Sequence, residues 1–262
     1  MIDKIKNKLI EYRYITGLNR KRSKLYNGKN GDILKSFKDK YKGQRCFIIG
    51  NGPSLNIDDL NKLKNEITFA FNRIYYIFDK TDWRPSYYLT EDTKIIQQSI
   101  DEINNLNLDY ILTPDIINFD YNMKIKNAIY FKQIMEKFND GLPQFSDNFY
   151  EKTYWGGTVT YTAIQMAVYM GFKEIYLIGV DHNFSMYEDK DGNIIRDNTV
   201  KDYFCDNYNE DKEKLEIPNL DDSTKAYIAA RKYCDKNNIK IYNATRGGKL
   251  EVFERVNFDE II

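Results

Sequence analysis

Gly50-Asn51-Gly52-Pro53-Ser54-Leu55 puts two glycines around an amide directly after the apolar run Cys46-Phe47-Ile48-Ile49. Without Cβ atoms a chain can bring its N–H groups close to an anion, and such a loop can cradle phosphate. Pro53 and Ser54 suit a turn that opens a helix, with Ser54 as a cap. The spacing is not that of a dinucleotide fingerprint, because no third glycine follows, nor that of a P-loop, because no Gly-Lys-Ser/Thr ends it. An ordinary strand-to-helix turn would use the same residues. Asn72-Arg73 and Thr90-Glu91-Asp92 supply an amide, a guanidinium and carboxylates suited to a base, a phosphate and ribose hydroxyls. Trp155-Gly156-Gly157-Thr158 is a second glycine pair ahead of a helical segment, with Thr158 near its cap. Asp181-His182-Asn183 contains the only histidine of the chain, and imidazole is the side chain best matched to proton transfer near neutral pH. A lone histidine is more often structural than catalytic; its place beside Asp181 at the end of an apolar run makes the two roles comparable. Asp221-Asp222-Ser223 precedes a helical segment, where capping is the default role and general-base chemistry requires that a carboxylate face the cleft.

Two further segments carry weaker signals. Asp189-Lys190-Asp191-Gly192-Asn193 holds a pair of carboxylates at metal-binding spacing, but Asp-Gly between polar flanks favours a hairpin turn. A calcium loop is excluded because its twelfth position would be Val200 instead of Glu. Residues 201–220, acidic and aromatic, read as a surface loop or lid from which Tyr203 and Tyr208 could reach a site.

These residues need elements to position them, and the apolar pattern supplies the elements. Residues 46–50, 67–72 and 86–92 are short apolar runs that end in glycine or polar groups, as buried parallel strands do. Residues 110–113 and 128–132 are weaker strands. Thr158 to Met170 reads as a helix leading through Gly171 into a clear strand at 174–181, and a helix from about Ser223 to Lys236 precedes a strand at 239–245. Strands alternating with helices imply an α/β, Rossmann-like fold: a mostly parallel sheet with helices on both faces. In such sheets ligands bind at the carboxyl ends of the strands, where the candidate residues fall.

Composition narrows the function classes. The 262 residues, 42% hydrophobic and 15% aromatic, suffice for a sizeable core. Cys46, Cys205 and Cys234 lie far apart, which disfavours a disulfide framework or a zinc ribbon and fits a reducing cytoplasm. No apolar run approaches the ~20 residues of a membrane helix, and the N-terminus lacks the apolar stretch of a secretory signal. The 39 basic and 39 acidic side chains cancel, so the overall basic excess of a nucleic-acid binder is missing. The balance is uneven along the chain: residues 1–45 hold fourteen Lys/Arg against four Asp/Glu. Residues 1–45 therefore read as a basic arm and 46–262 as the nucleotide-binding domain. In the arm, Ile2, Ile5, Leu9, Ile10 and Tyr14 recur near helical spacing, followed by a polar link over Gly17–Asp32. The arm suits docking on the main domain or on a neighbouring subunit, and is compatible with a peripheral contact to anionic lipid.

With these segments in place, the chain resembles a bacterial glycosyltransferase superfamily that includes the family-42 sialyltransferases and the MptE-like domain of flagellin-modifying motility accessory factors. The resemblance is carried by GNGPSL after the first strand, FN at the second strand end and GFKEIYLIGVD after the helix; GVDHNF, KIYNATRGGKLEVF and ERVNF look closer to the MptE-like branch. It covers about residues 44–258 and implies a variant GT-A-like fold. In the sialyltransferases the glycine loop and strand ends hold CMP and no metal is needed. The resemblance thus implies nucleotide contacts from Gly50, Asn51, Gly52, Pro53, Ser54 and Asn72, with Thr90, Glu91 and Asp92 near the ribose or base. The residues' own chemistry and placement add Arg73, Gly157 and Asp181 to the nucleotide-binding set, and by the resemblance Thr158 or Thr160 takes the place of a small hydroxyl residue. Asn183 and Tyr187 stand where the family has phosphate-contacting tyrosines, and Tyr203 and Tyr208 stand on the lid. The sialyltransferase general-base histidine would fall near Asp221-Asp222, whereas His182 follows the Gly179-Val180-Asp181 strand end, so the base is open between them.

The activity implied is inverting, metal-independent transfer of an acidic sugar from a CMP-sugar to a surface-glycan or glycoprotein acceptor. No resident cofactor is expected, and an oligomer is. Two rivals stand beside it. The MptE-like name belongs to a 6-hydroxymethylpterin diphosphokinase using ATP and magnesium, with Glu91, Asp92 or Asp189 and Asp191 as ligands. A non-catalytic nucleotide-binding protein would keep the loop and lose nothing on mutation of His182.

Overall fold

The computed structural model describes residues 2–136, 138, 141–209 and 216–262, with side chains described from Tyr12 onward except Asn209. Twelve strands occur among them: β1 (Arg45–Ile49), β2 (Thr68–Phe71), β3 (Tyr87–Leu89), β4 (Ile111–Pro114), β5 (Ile129–Phe131), β6 (Gln133–Ile134), β7 (Thr153–Tyr154), β8 (Glu174–Ile178), β9 (Met186–Glu188), β10 (Ile194–Arg196), β11 (Lys240–Asn243) and β12 (Glu254–Arg255). The helices are α1 (Ile2–Tyr26), α2 (Lys29–Ser36), α3 (Ile57–Lys62), α4 (Thr93–Asn104), α5 (Asp115–Phe119), α6 (Val159–Tyr169), α7 (Leu220–Lys236) and α8 (Phe258–Ile261).

Eight strands form one sheet in the order β12-β11-β8-β1-β2-β3-β4-β5, and every pairing within it is parallel. Side chains alternate across each strand. Cys46, Ile48, Phe69, Phe71, Tyr87 and Leu89 therefore face one layer, with Leu34 of α2, α6 and α7. Phe47, Ile49, Ala70 and Tyr88 face the other, with Leu60 of α3, Ile96 of α4 and Phe258 of α8. Burial on both faces explains why these strands read as unbroken apolar runs. The fold is α/β and Rossmann-like, as the alternation of segments implies.

Several local expectations are corrected. The link expected over Gly17–Asp32 is helical as far as Tyr26, and α2 follows after Asn27 and Gly28. Leu34 and Phe37 lie in the core, so the end of the basic segment packs against the sheet. The apolar positions Ile2, Ile5, Leu9 and Ile10 lie outside the described side chains, as do residues 210–215 of the expected lid. Tyr14 is exposed and donates its hydroxyl to Asp120. Nearer the body, Arg22 grips buried Asp115 through Nε and Nη2 at 2.7 and 2.8 Å, and the Tyr26 hydroxyl adds a bond of 3.2 Å. The Asp189–Asn193 segment is a turn: β9 and β10 pair antiparallel, and the Asp189 carboxylate accepts from the N–H groups of Asp191 and Asn193. Among the described residues no helix is long and apolar enough to cross a membrane.

Candidate active site

From β1 the chain runs outward through β2 to β5, then returns to place β8 on the other side of β1. Strand order reverses there, the place where sheets of this kind bind ligands, outside the carboxyl ends of β1 and β8. The glycine loop and the Asp181-His182 pair follow these two strands.

The glycines bring the two strand ends together. Gly50 N–H donates to Ile178 O at 2.8 Å and Gly52 N–H to Gly179 O at 2.9 Å. A Cβ on Gly52 would lie 1.9 Å from Asp181 Oδ2, and one on Gly50 2.3 Å from the Gly179 carbonyl. Both glycine N–H groups are thus spent on β8 and its extension, which corrects the expectation that they cradle an anion. Ser54 donates its hydroxyl to Asp181 at 2.7 Å, while Asn56 caps α3 through Asp58 N and Asp59 N, so the expected cap at Ser54 is also corrected. Burial pushes the Asp181 carboxyl up, against the opposing pull of Ser54. Asn51 donates to Phe71 O and to the Tyr208 hydroxyl, at 3.0 and 2.9 Å. Its own Oδ1 is buried without a hydrogen-bond donor among the described residues. Such an acceptor is costly to leave bare and suits a donor group on a ligand.

The segment after β10 closes over this loop. Tyr203 and Tyr208 stack with centroids 3.9 Å apart, and Phe204 N–H donates to the Asn51 carbonyl. Arg73 is buried in a short turn after β2, where it donates to the Tyr208 carbonyl, to Gln98 at 2.6 Å and to Ser99 at 3.3 Å. Its guanidinium anchors the lid to α4 instead of presenting a free charge to a phosphate. Asn72, at φ 48°, accepts from the Thr90 hydroxyl. Glu91 Oε2 accepts from Gln133 at 2.8 Å and Thr162 at 2.9 Å, and burial pushes the carboxyl up to about 7. Asp92 caps α4. Tyr187 lies in the β9–β10 hairpin, and Asn183 is half-buried beside His182.

Across β8, His182 is held at φ 52°. Its ring meets Tyr227 edge to face at 5.6 Å, and Nε2 lies 2.8 Å from Thr224 Oγ1. Burial lowers its pKa to about 4, so the imidazole is neutral at pH 7. Tyr227 in turn pairs with Thr158, the cap of α6, at 3.5 Å and with Thr160. Gly157, at φ 71°, lies against the Asp222 Cβ and brings the α6 and α7 N-termini together. The first turn of α6 carries no acidic side chain, and Thr158 takes the N–H groups of Thr160 and Tyr161, so an anion there meets the helix dipole with part of the N-terminus already capped. Helix α7 starts at Leu220 and is capped by Asn219, so Asp221 and Asp222 sit inside its first turn instead of ahead of it; Asp221 pairs with Lys225 at 2.7 Å. A groove of about 550 Å³ runs along α7 from His182 and Thr224, past Ile228, to Leu250 and Val252.

The structure therefore joins Gly50 to Ser54 with Asp181, Tyr208 and, through the stack, Tyr203, and joins His182 through Tyr227 with Thr158 and Thr160. Thr224 and Tyr227 join them without having been singled out in sequence, as do Gly179 and Gly248, which sequence offered only within longer motifs. Gly248 packs on Asp181, with a built Cβ 2.6 Å from its carbonyl, and the Gly247-Gly248 pair was the one available signal. Thr224 and Tyr227 are ordinary helix residues until the sheet brings them to His182.

No curated protein matches the chain at a meaningful level. The MAf glycosyltransferase of Magnetospirillum magneticum AMB-1 superposes with a TM-score of 0.52 at 13% identity over 85% of this chain. The chain spans 35% of that protein's length. The sialyltransferase CstII of Campylobacter jejuni, solved with cytidine-5'-monophosphate, gives a TM-score of 0.47 at 19% identity, covering 82% of this chain and 86% of its own. At these identities the likeness to the first is one of fold. Residues 20–186, well over half of the chain, match the family described as 6-hydroxymethylpterin diphosphokinase MptE-like, and the protein belongs to that MptE-like family.

Proposed function

We propose that the protein is an inverting glycosyltransferase that moves an acidic sugar, such as a nonulosonic acid, from its CMP-activated form to a glycan or glycoprotein acceptor. The observation that carries this reading is that neighbouring strand ends at the switch point carry a loop with a bare buried acceptor at Asn51, after β1, and a neutral imidazole at His182, after β8. The nucleotide lies against the Gly50–Ser54 loop under Tyr203 and Tyr208, with Asn51 Oδ1 accepting from the base or the ribose. The α6 N-terminus at Gly157 and Thr158 faces the phosphate charge, replacing the two glycine N–H groups spent on β8. The acceptor oxygen attacks the anomeric carbon as His182 takes its proton, and the bond to the CMP oxygen breaks with its electron pair leaving on CMP. Asp222, beside Gly157, is the second candidate base. Holding both substrates in a cleft contributes about 7–11 kcal/mol to lowering the barrier.

The family's description favours one other reading, a diphosphokinase using ATP and magnesium. The carboxylates expected to hold a magnesium ion already have other partners, which counts against this reading: Glu91 accepts from Gln133 and Thr162, Asp92 caps α4, and Asp189 closes the hairpin turn that also carries Asp191.

Thermal unfolding with CMP, CDP, UDP, GDP and ATP, each with magnesium or EDTA, separates the readings. A ligand at a hundred times its Kd adds about 2.7 kcal/mol. Stabilisation by CMP in EDTA is the expected result. Stabilisation only by ATP with magnesium makes the protein a kinase and ends the transferase reading.

A further inference from the structure

We infer that Thr224 decides which nitrogen of His182 is basic: it holds the neutral ring as the Nε2–H tautomer and leaves Nδ1 as the atom that accepts a proton. A threonine hydroxyl has one hydrogen, and a neutral imidazole carries one N–H and one lone pair. Thr224 Oγ1 lies 2.7 Å from the Leu220 carbonyl, one turn back on α7, and donates to it. The same oxygen lies 2.8 Å from His182 Nε2. With its only hydrogen directed at Leu220, Oγ1 faces the ring as an acceptor, so Nε2 is the donor. The opposite tautomer would turn the hydroxyl toward Nε2 and give up one of the two hydrogen bonds. Burial keeps the ring neutral, so one tautomer has to be chosen.

The surroundings support a fixed ring. His182 sits in a left-handed backbone conformation at φ 52°, its ring rests edge-on against Tyr227 at 5.6 Å, and the next strand end packs on Asp181 through Gly248. Thr224 belongs to a helix of seventeen residues, capped by Asn219, so its hydroxyl is presented from a rigid element. Thr224 is thus a positioning residue acting through His182. As a statement about catalysis this rests on His182 being the base; as a statement about the ring it does not.

The chain's only histidine makes the test unambiguous. Protein labelled with ¹⁵N, its purification tag removed, is examined at pH 7 by long-range ¹H–¹⁵N correlation of the imidazole. The expected spectrum has a pyrrole-like Nε2 and a pyridine-like Nδ1. Thr224→Val removes the acceptor and shifts the ring toward a mixture or toward Nδ1–H, whereas Thr224→Ser keeps the wild-type pattern and shows that the fold tolerates substitution there. A wild-type ring protonated at Nδ1 overturns the inference, as does a Thr224→Val spectrum identical to wild type. If the spectra behave as expected and His182→Gln leaves sugar transfer at its wild-type rate, the tautomer assignment stands and the role of His182 as base falls.

Discussion

Two half-buried titratable side chains, His182 and Glu91, respond to pH in opposite directions. His182 is lowered to about 4 by burial, so the unfolded chain binds a proton that the folded protein refuses between about pH 6.5 and 4; stability is lost as pH falls through that window. Glu91 is raised to about 7 by burial, against the pull of Gln133 and Thr162, so the folded protein keeps a proton that the unfolded chain releases above pH 4.5; stability is lost as pH rises from there to 7. A tenfold difference in proton affinity between folded and unfolded chain corresponds to about 1.4 kcal/mol. Relative to wild type, Glu91→Gln should gain stability as pH rises from 4.5 to 7, by on the order of 1–3 kcal/mol. His182→Asn, which tolerates the left-handed backbone, should gain relative to wild type as pH falls from 6.5 to 4. Urea unfolding of the three proteins across this range measures both differences, and parallel curves would show that neither group titrates abnormally. The identities of these side chains were legible in sequence because each ends an apolar run. Their environments were not: Gln133 and Thr162 come to Glu91, and Thr224 to His182, from distant segments.

At the scale of elements, the strands buried on both faces were easily read, since β1, β2, β3 and β8 are continuous apolar runs. The two-residue strands β6, β7 and β12 offered no periodicity to detect. The glycine loop shows a different limit. Its composition announced a close approach, but the partner is the end of β8, and only the sheet order reveals that two N–H groups are consumed there. The segment at 201–209 drew notice through its aromatics as a loop or lid, while its tether was missed because a buried arginine looks in sequence like a free one. Arg73 holds the lid through the Tyr208 carbonyl while its other nitrogens bind Gln98 and Ser99 on α4. Hydrogen bonds to a charged group contribute about 1.5–3 kcal/mol each. Arg73→Ala should therefore raise hydrogen exchange over residues 201–209 at least tenfold and weaken nucleotide binding, with β1 and β8 exchanging at their wild-type rates. Unchanged exchange in the lid would assign its order to the Tyr203–Tyr208 stack alone.

The whole molecule is electrically divided, with a basic excess in the first 45 residues balanced by an acidic excess in the rest. The division takes structural form where α1 meets the sheet: Arg22 makes a two-pronged contact with Asp115, a fully buried carboxylate at the end of β4. The family match begins at residue 20 and so includes this clamp while leaving most of α1 outside it. A buried ion pair adds little when compared with an apolar replacement of both partners, but removing one partner strands a charge and costs about 3–5 kcal/mol. Arg22→Met should thus destabilise the protein strongly, because Asp115 stays buried with, among the described residues, only the Tyr26 hydroxyl to satisfy it. Adding Asp115→Asn removes the stranded charge while keeping a group that can accept from Tyr26, so the double variant should recover much of the loss. Urea denaturation of the four proteins closes the cycle. If the two substitutions cost stability additively, Arg22 and Asp115 are not coupled, and α1 is held to the body by other contacts. If the double variant is the more stable of the two that lack Arg22, the basic helix is anchored by neutralising a charge that the sheet itself buries.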